Sequence, residues 1–216
     1  MLDINNLISC LRKRRKVFQS EADFQHELAW EINKTYPQAK IRLERNMVDK
    51  STSSKKEVVD IWVEYNRKVY AIELKYKTSK IVLNDNEEKF KLLNQSARDL
   101  GKYDFIKDIV RLEGWKKSSG DSRIDYGYAI FLTNDIGYWK KSIRPAADAS
   151  FRIYEGRELK GKLGWSNKSS GSKVSNGTMK GRENDLQLSG SYTIHWNNYA
   201  DLNNKKASFK YILVKI

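Results

Sequence analysis

The stretch 58–75, VVDIWVEYNRKVYAIELK, places two apolar-rich runs about a polar centre, Asn66-Arg67. That pattern constrains the chain to an antiparallel hairpin folded about the centre. Folded symmetrically, it sets Ile61 across from Ile72 and Asp60 across from Glu73. Side chains alternate faces along a strand, so Val59, Ile61, Val63, Tyr70, Ile72 and Leu74 form one core face. The other face carries Val58, Asp60, Trp62, Ala71, Glu73 and Lys75, and is half polar. Two acids and a lysine then converge on one patch. A slip of one residue at the turn would send Asp60 to the opposite side, so the convergence depends on register.

The flanking segments organise around this hairpin. Ile4, Leu7, Ile8 and Leu11 recur at helical spacing and lead into the basic run 12–16, which suits a helix C-terminus. Ser20 has the form of an N-cap, and the helix it opens over 21–35 carries Phe24, Leu28 and Ile32 on one face until Tyr36-Pro37 ends it. Residues 40–44 read as a short strand and 50–56 as a polar loop. An acidic helix start at 85–88 opens a helical pattern through Phe90, Leu93, Ala97 and Leu100 to about residue 113, with a kink or a division into two helices expected after Gly101. Residues 124–133 form a strong strand pattern, and 150–154, 186–196 and 208–216 read as further strands. The segment 156–183 holds six glycines and seven basic residues against two acids, and reads as a long loop or a loose hairpin insertion. The order implies an α/β chain with a mixed central sheet flanked by helices. It is expected as a single domain over 1–216, with a core at about 20–134 and a β-rich C-terminal extension.

Residue usage narrows the chemistry. Cys10 is the single cysteine, and His26 and His195 are the two histidines, so a disulfide framework, a zinc site and a histidine triad are not expected. A metal would be held by carboxylates, which suits Mg²⁺ or Mn²⁺. Asp60 and Glu73 are the candidate ligands, with the carbonyl of Leu74 as a further one. Such a metal would polarise a phosphate and activate a water. Lys75 beside it would deprotonate or orient that water, or stabilise the anionic transition state, and both roles stay open. Glu-x-Lys also occurs at 87–89 and 158–160, but only the copy at Glu73 lies in an apolar strand opposite an aspartate. On the helix 21–35, Glu31 falls on the apolar face and Glu27 at its margin, so either could complete the site. In the bland alternative, the hairpin acids and Lys75 make ordinary salt bridges.

This αβββαβ order, with Asp60 followed by Glu73-Leu74-Lys75 on adjacent strands, resembles the PD-(D/E)XK nuclease superfamily, the restriction-endonuclease-like fold. The resemblance covers about 20–133, and Val59 stands where the motif name has proline. It implies that Asp60 and Glu73 bind Mg²⁺ and that Lys75 assists the attacking water. It also implies a helix glutamate before the sheet, matched in position by Glu31 or Glu27. A polar residue on the helix after the motif is implied too, and Gln95 is the candidate.

The 41 basic and 27 acidic residues leave a formal charge of +14, which favours a polyanionic partner. Duplex DNA is the expected substrate, and paired cuts in a duplex would favour a homodimer. Lys77 and Lys80 lie beside the site. Lys160, Lys162, Lys168 and Lys173 on the glycine-rich segment could grip phosphates, and Trp165 could stack on a base. No apolar run is long enough to span a membrane, and none follows the basic residues near the N-terminus, so a cytoplasmic location is expected. The expected function is therefore a Mg²⁺-dependent nuclease of the defence, restriction or repair type. The alternative is a non-catalytic nucleic-acid-binding protein on a nuclease-like scaffold.

Overall fold

A computed structural model describes residues 1–47, 57–95, 97–166, 179–202 and 208–216. Helix α1 (Ile4–Arg14) buries Ile4, Leu7, Ile8 and Leu11, and Asp3 caps it by accepting from the Asn6 amide at 3.0 Å. Helix α2 (Glu21–Thr35) begins where Ser20 accepts from the Asp23 amide at 3.1 Å, and it buries Phe24, Leu28 and Ile32. Both helices follow the periodicity of their apolar residues. They pack against one face of a six-stranded sheet together with Ile61, Ile72 and Leu74.

The sheet is built from β1 (Lys40–Met47), β2 (Glu57–Tyr65), β3 (Lys68–Lys77), β6 (Tyr126–Thr133), β9 (Asn197–Asp201) and β10 (Ser208–Lys215), in the order β1-β2-β3-β6-β10-β9. Strands β3 and β6 run parallel, and every other neighbouring pair is antiparallel, so the sheet is mixed. The β2–β3 hairpin turns at Asn66 and Arg67, both at positive φ (50° and 59°), as a two-residue turn of type I′ requires. Its register is the symmetric one, with Ile61 opposite Ile72 and Tyr65 opposite Lys68. Helix α3 (Arg98–Lys117) and the hairpin of β7 (Glu158–Leu163) and β8 (Leu186–Thr193) cover the second face, over Trp62, Ala71, Ala129 and Phe131. The chain is thus mixed α/β, with helices on both faces of a mixed sheet. Among the described residues no helix is long and apolar enough to cross a membrane.

Five expectations are corrected. Residues from 85 do not start a helix: β4 (Ile81–Asp85) and β5 (Glu88–Leu92) form a hairpin about Asn86 and Glu87, at φ 48° and 66°. Ile81, Phe90 and Leu92 are buried at strand spacing, whereas Leu93, which the helical pattern needed inside, is 67 % exposed. Secondly, α3 runs unbroken through Gly101. The glycine marks a close approach instead of a kink, since a Cβ there would lie 2.5 Å from the Tyr138 hydroxyl. Thirdly, Val59 leaves the predicted face. Glu44 takes φ 50° and the β1–β2 ladder skips Glu44 and Asp60, so Val59 and Met47 pack under α3 while Leu43 and Ile61 pack under α1 and α2. Fourthly, the C-terminal extension is only in part separate: β7 and β8 form their own two-stranded sheet, but β9 and β10 belong to the central sheet, where β10 pairs directly with β6. Residues 150–154 form no strand among the described residues. A 3-10 turn at Ala149–Phe151 leads into Ile153, and buried Phe151 and Ile153 reproduce strand alternation without a ladder.

Gly101→Ala sets two effects against each other. Alanine favours the helix by about 1 kcal/mol, but overpacking against a fixed ring costs about 1–3 kcal/mol. Tyr138 is buried and packs on Phe131, so its ring cannot step aside. The variant is expected to be less stable than the wild type by about 1 kcal/mol in urea unfolding, the overpacking outweighing the propensity gain.

Candidate active site

The site forms where β2 stops pairing with β3. The ladder ends at Ile61 and Ile72, and carboxylates replace the strand beyond it. Asp60 Oδ2 accepts from the Leu74 amide at 2.6 Å, and Glu21 Oε2 accepts from the Tyr76 amide at 2.6 Å. Glu21 is the first residue of α2, so the Ser20 cap that starts the helix also aims this acid at the β3 edge. Gln25, one turn on, donates to the Asp60 carbonyl at 2.7 Å and to Glu44 Oε1 at 2.7 Å, which fixes the backbone that carries Asp60.

Glu73 and Lys75 sit under α3. Asp108 and Arg111, one helical turn apart, meet them. Lys75 Nζ lies 2.6 Å from Asp108 Oδ2 and donates to the Leu74 carbonyl at 3.0 Å. Arg111 Nη2 lies 2.6 Å from Glu73 Oε1 and also donates to the Val58 carbonyl, while its Nη1 is 3.3 Å from Asp108 Oδ1. Four carboxylates (Glu21, Asp60, Glu73, Asp108) therefore share two cations (Lys75, Arg111), an excess of two negative charges.

Charge balance and burial set the acidities. Burial pushes Asp60 up to about 6, with Asp108 and Glu21 adding to the rise and Lys75 and the Leu74 amide opposing it. Burial likewise raises Glu73 well above the usual carboxylate range, and Asp108 reinforces this against Arg111. Asp108 is raised by its own burial in spite of Lys75 and Arg111. For Lys75, burial acts downward, but Asp108, Glu21 and Asp60 outweigh it and hold the ammonium above its ordinary pKa. Lys75 is consequently a fixed cation at neutral pH.

The structure brings together Asp60, Glu73 and Lys75 and leaves the other expected site residues elsewhere. Glu31 is buried as expected, but its partner is Arg14, at 3.5 Å. Glu27 also pairs with Arg14 and lies 4.0 Å from Arg15. Ten residues separate Glu31 from Glu21, about 15 Å along a helix, so the helix acid at the β3 edge is Glu21. Gln95 lies on no helix. It follows β5 and exchanges hydrogen bonds with Thr78, at 2.9 Å and 3.2 Å, which fastens the end of β3. The Leu74 carbonyl is occupied by Lys75. Lys77 ends β3 half-buried, and Lys80 is exposed. Lys160 and Lys162 pair with Glu158 and Asp185 on the β7–β8 hairpin, both at 2.9 Å. Trp165 stacks on Tyr103 and meets Phe151 edge-on, so it is a packing residue. Lys168 and Lys173 lie outside the described residues. Sequence reasoning missed Glu21, Asp108 and Arg111. The signal for Asp108 was its position among Phe105, Ile109 and Leu112, on the apolar stripe of a helix.

No cluster of three metal-ligating side chains is assembled among the described residues. The donor chemistry nonetheless suits a hard divalent cation. The donors are oxygens, and Asp60 and Glu73 are raised by burial with neighbouring acids adding to the rise, which a bound cation would offset. No family model matches the chain, and neither curated proteins nor solved structures give a match.

Asp60 has a stability signature. A carboxyl whose folded pKa is raised binds its proton more tightly in the native state, so it supports the fold at low pH and loses that support as pH rises through its folded pKa. The window runs from about 4, the unfolded value, to about 6. Asp60→Asn is expected to gain stability relative to the wild type between pH 4 and pH 7, by on the order of 3 kcal/mol. Urea unfolding of both proteins at the two pH values measures it.

Proposed function

We propose that the chain is a Mg²⁺-dependent nuclease with a restriction-endonuclease-like core, hydrolysing phosphodiester bonds in duplex DNA. The observation that carries this reading is the convergence of Asp60, Glu73 and Lys75 at the edge of β3 that β2 leaves, where four carboxyls are set against two cations. Asp60 and Glu73 would hold the metal, with Glu21 beside them. When bound, Mg²⁺ supplies Lewis acidity to the phosphoryl group and to the attacking water. Water oxygen bonds to phosphorus and gives up a proton to solvent, a phosphorus–oxygen ester bond breaks, and the departing oxygen takes up a proton from solvent. Lys75, held charged by Asp108, stabilises the anionic charge that builds on the phosphoryl oxygens. Its raised pKa favours this electrostatic role over that of a base. Asp108 positions Lys75, and Arg111 positions Glu73.

A second reading, a nucleic-acid-binding protein without catalysis, is favoured by one feature. Glu73 and Lys75 already have partners in Arg111 and Asp108. Metal binding separates the two. A catalytic site predicts that Mg²⁺ or Mn²⁺ raises the thermal midpoint at pH 7.5, and that Asp60→Asn abolishes the shift. Catalysis itself is tested by plasmid nicking. Mg²⁺ is expected to support nicking, EDTA to stop it, and Lys75→Ala to slow it by about 10²-fold or more. Nicking that ignores EDTA, or full activity in the lysine variant, overturns the mechanism.

A further inference from the structure

A second basic feature lies at the carboxyl end of β6, where the chain passes through Asn134 and Asp135 into α4 (Ile136–Trp139). A cleft of about 530 Å³ opens there, lined by Arg98, Lys102, Lys140, Lys141, Arg144 and Arg152, with Asp148 the one acidic residue in its wall. Its framework is built from paired cations. Asp135, buried, caps α4 by accepting from the Gly137 amide at 2.9 Å and takes Arg98 Nε at 2.6 Å. Gly137 makes room for that guanidinium, because a Cβ there would lie 2.5 Å from Arg98 Nε. Lys102 pairs with Asp148 at 2.9 Å. Arg152 donates to the Ser142 carbonyl at 2.6 Å and to the Arg144 carbonyl, which holds the segment 142–144 in place. On this frame stand Lys140, Lys141 and Arg144. All three are exposed, and none pairs with a carboxylate among the described residues. Three free cations held in place around a concave surface repel one another, and a polyanion relieves that repulsion.

The cleft is close to the candidate site. Lys102 and Asp108 share α3 and are six residues apart, about 9 Å along the axis. Ser79, just past β3, donates to Asn134 Oδ1 at 2.8 Å, which ties the strand that carries Lys75 to the turn that leads into α4.

We infer that the cleft formed by Lys140, Lys141 and Arg144 over the Arg98–Asp135 and Arg152 frame is the docking surface for a nucleic-acid phosphate backbone. Phosphate contacts of this kind set position and register without reading sequence. The surface would hold a strand on the α3 side that also carries Asp108 and Arg111. This assigns the grip to the 140–152 segment, whereas Lys160 and Lys162, already neutralised by Glu158 and Asp185, contribute less. It rests on the reading of the chain as a protein that acts on nucleic acid, but not on catalysis.

The test is fluorescence anisotropy with a labelled duplex in EDTA, across a series of KCl concentrations, so that cleavage plays no part. The K140E/K141E/R144E variant is expected to bind at least about ten-fold more weakly and to lose about three units from the slope of log affinity against log salt. Ile143→Ser, in the same segment and without a charge change, should keep the wild-type slope, as should K160E/K162E. An unchanged slope in the triple variant, or no salt-sensitive duplex binding by the wild type, overturns the inference. Tighter binding of phosphatidylserine vesicles than of the duplex, lost in the same variant, overturns it in favour of a membrane surface. Failure of nicking with the slope effect intact would overturn the nuclease reading alone.

Discussion

Glu73 is a carboxylate in the middle of a buried strand, and much of the surrounding structure answers to it. A charge taken out of water needs a partner at hydrogen-bonding distance, or it gives up its charge. Arg111 is that partner, and it reaches Glu73 because α3 lies across this face of the sheet. Arg111 and Asp108 sit one turn apart, so the same helix that satisfies Glu73 also anchors Lys75. The two ion pairs leave the acids in excess. Burial, reinforced by that surplus, raises the pKa of Asp60 and Glu73, the two carboxyls that flank Lys75.

The second organising fact is the unequal length of β2 and β3 pairing. Past Ile72, β3 continues beside β6 but no longer beside β2. Main-chain amides at such an edge must find acceptors, and side chains from two separate elements, Asp60 and Glu21, provide them. A strand edge closed by carboxylates is a pocket of acceptors by construction. The distortion at Glu44 belongs to the same feature. It interrupts the β1–β2 ladder opposite Asp60 and frees that residue from regular pairing.

Much of this was readable beforehand, for identifiable reasons. The register of the β2–β3 hairpin follows from a two-residue turn between alternating runs, and α1 and α2 follow from 3.6-residue periodicity with capping residues. The β4–β5 hairpin was misread because Phe90, Leu93, Ala97 and Leu100 match helical spacing. Local spacing cannot weigh that match against the Asn86-Glu87 turn and the burial of Ile81. Glu31 was rightly placed on a buried face, but burial does not name a partner. Arg14 comes from a different helix, and only the α1–α2 packing brings it there.

By itself the sequence determined the hairpin and its register up to Ile61 and Ile72, because side-chain alternation and a two-residue turn are local rules, whereas the expected pairing of Asp60 with Glu73 gives way to a bond from the Leu74 amide to Asp60. It also determined that any metal would have oxygen ligands, since the chain has one cysteine and two histidines. Tertiary structure alone decided which charges meet. Glu21, Asp108 and Arg111 reach Asp60, Glu73 and Lys75 from elements that are near in space and 33 or more residues away along the chain. Their selection depends on where α2 and α3 dock, and docking is set by the two cores that close on either face of the sheet.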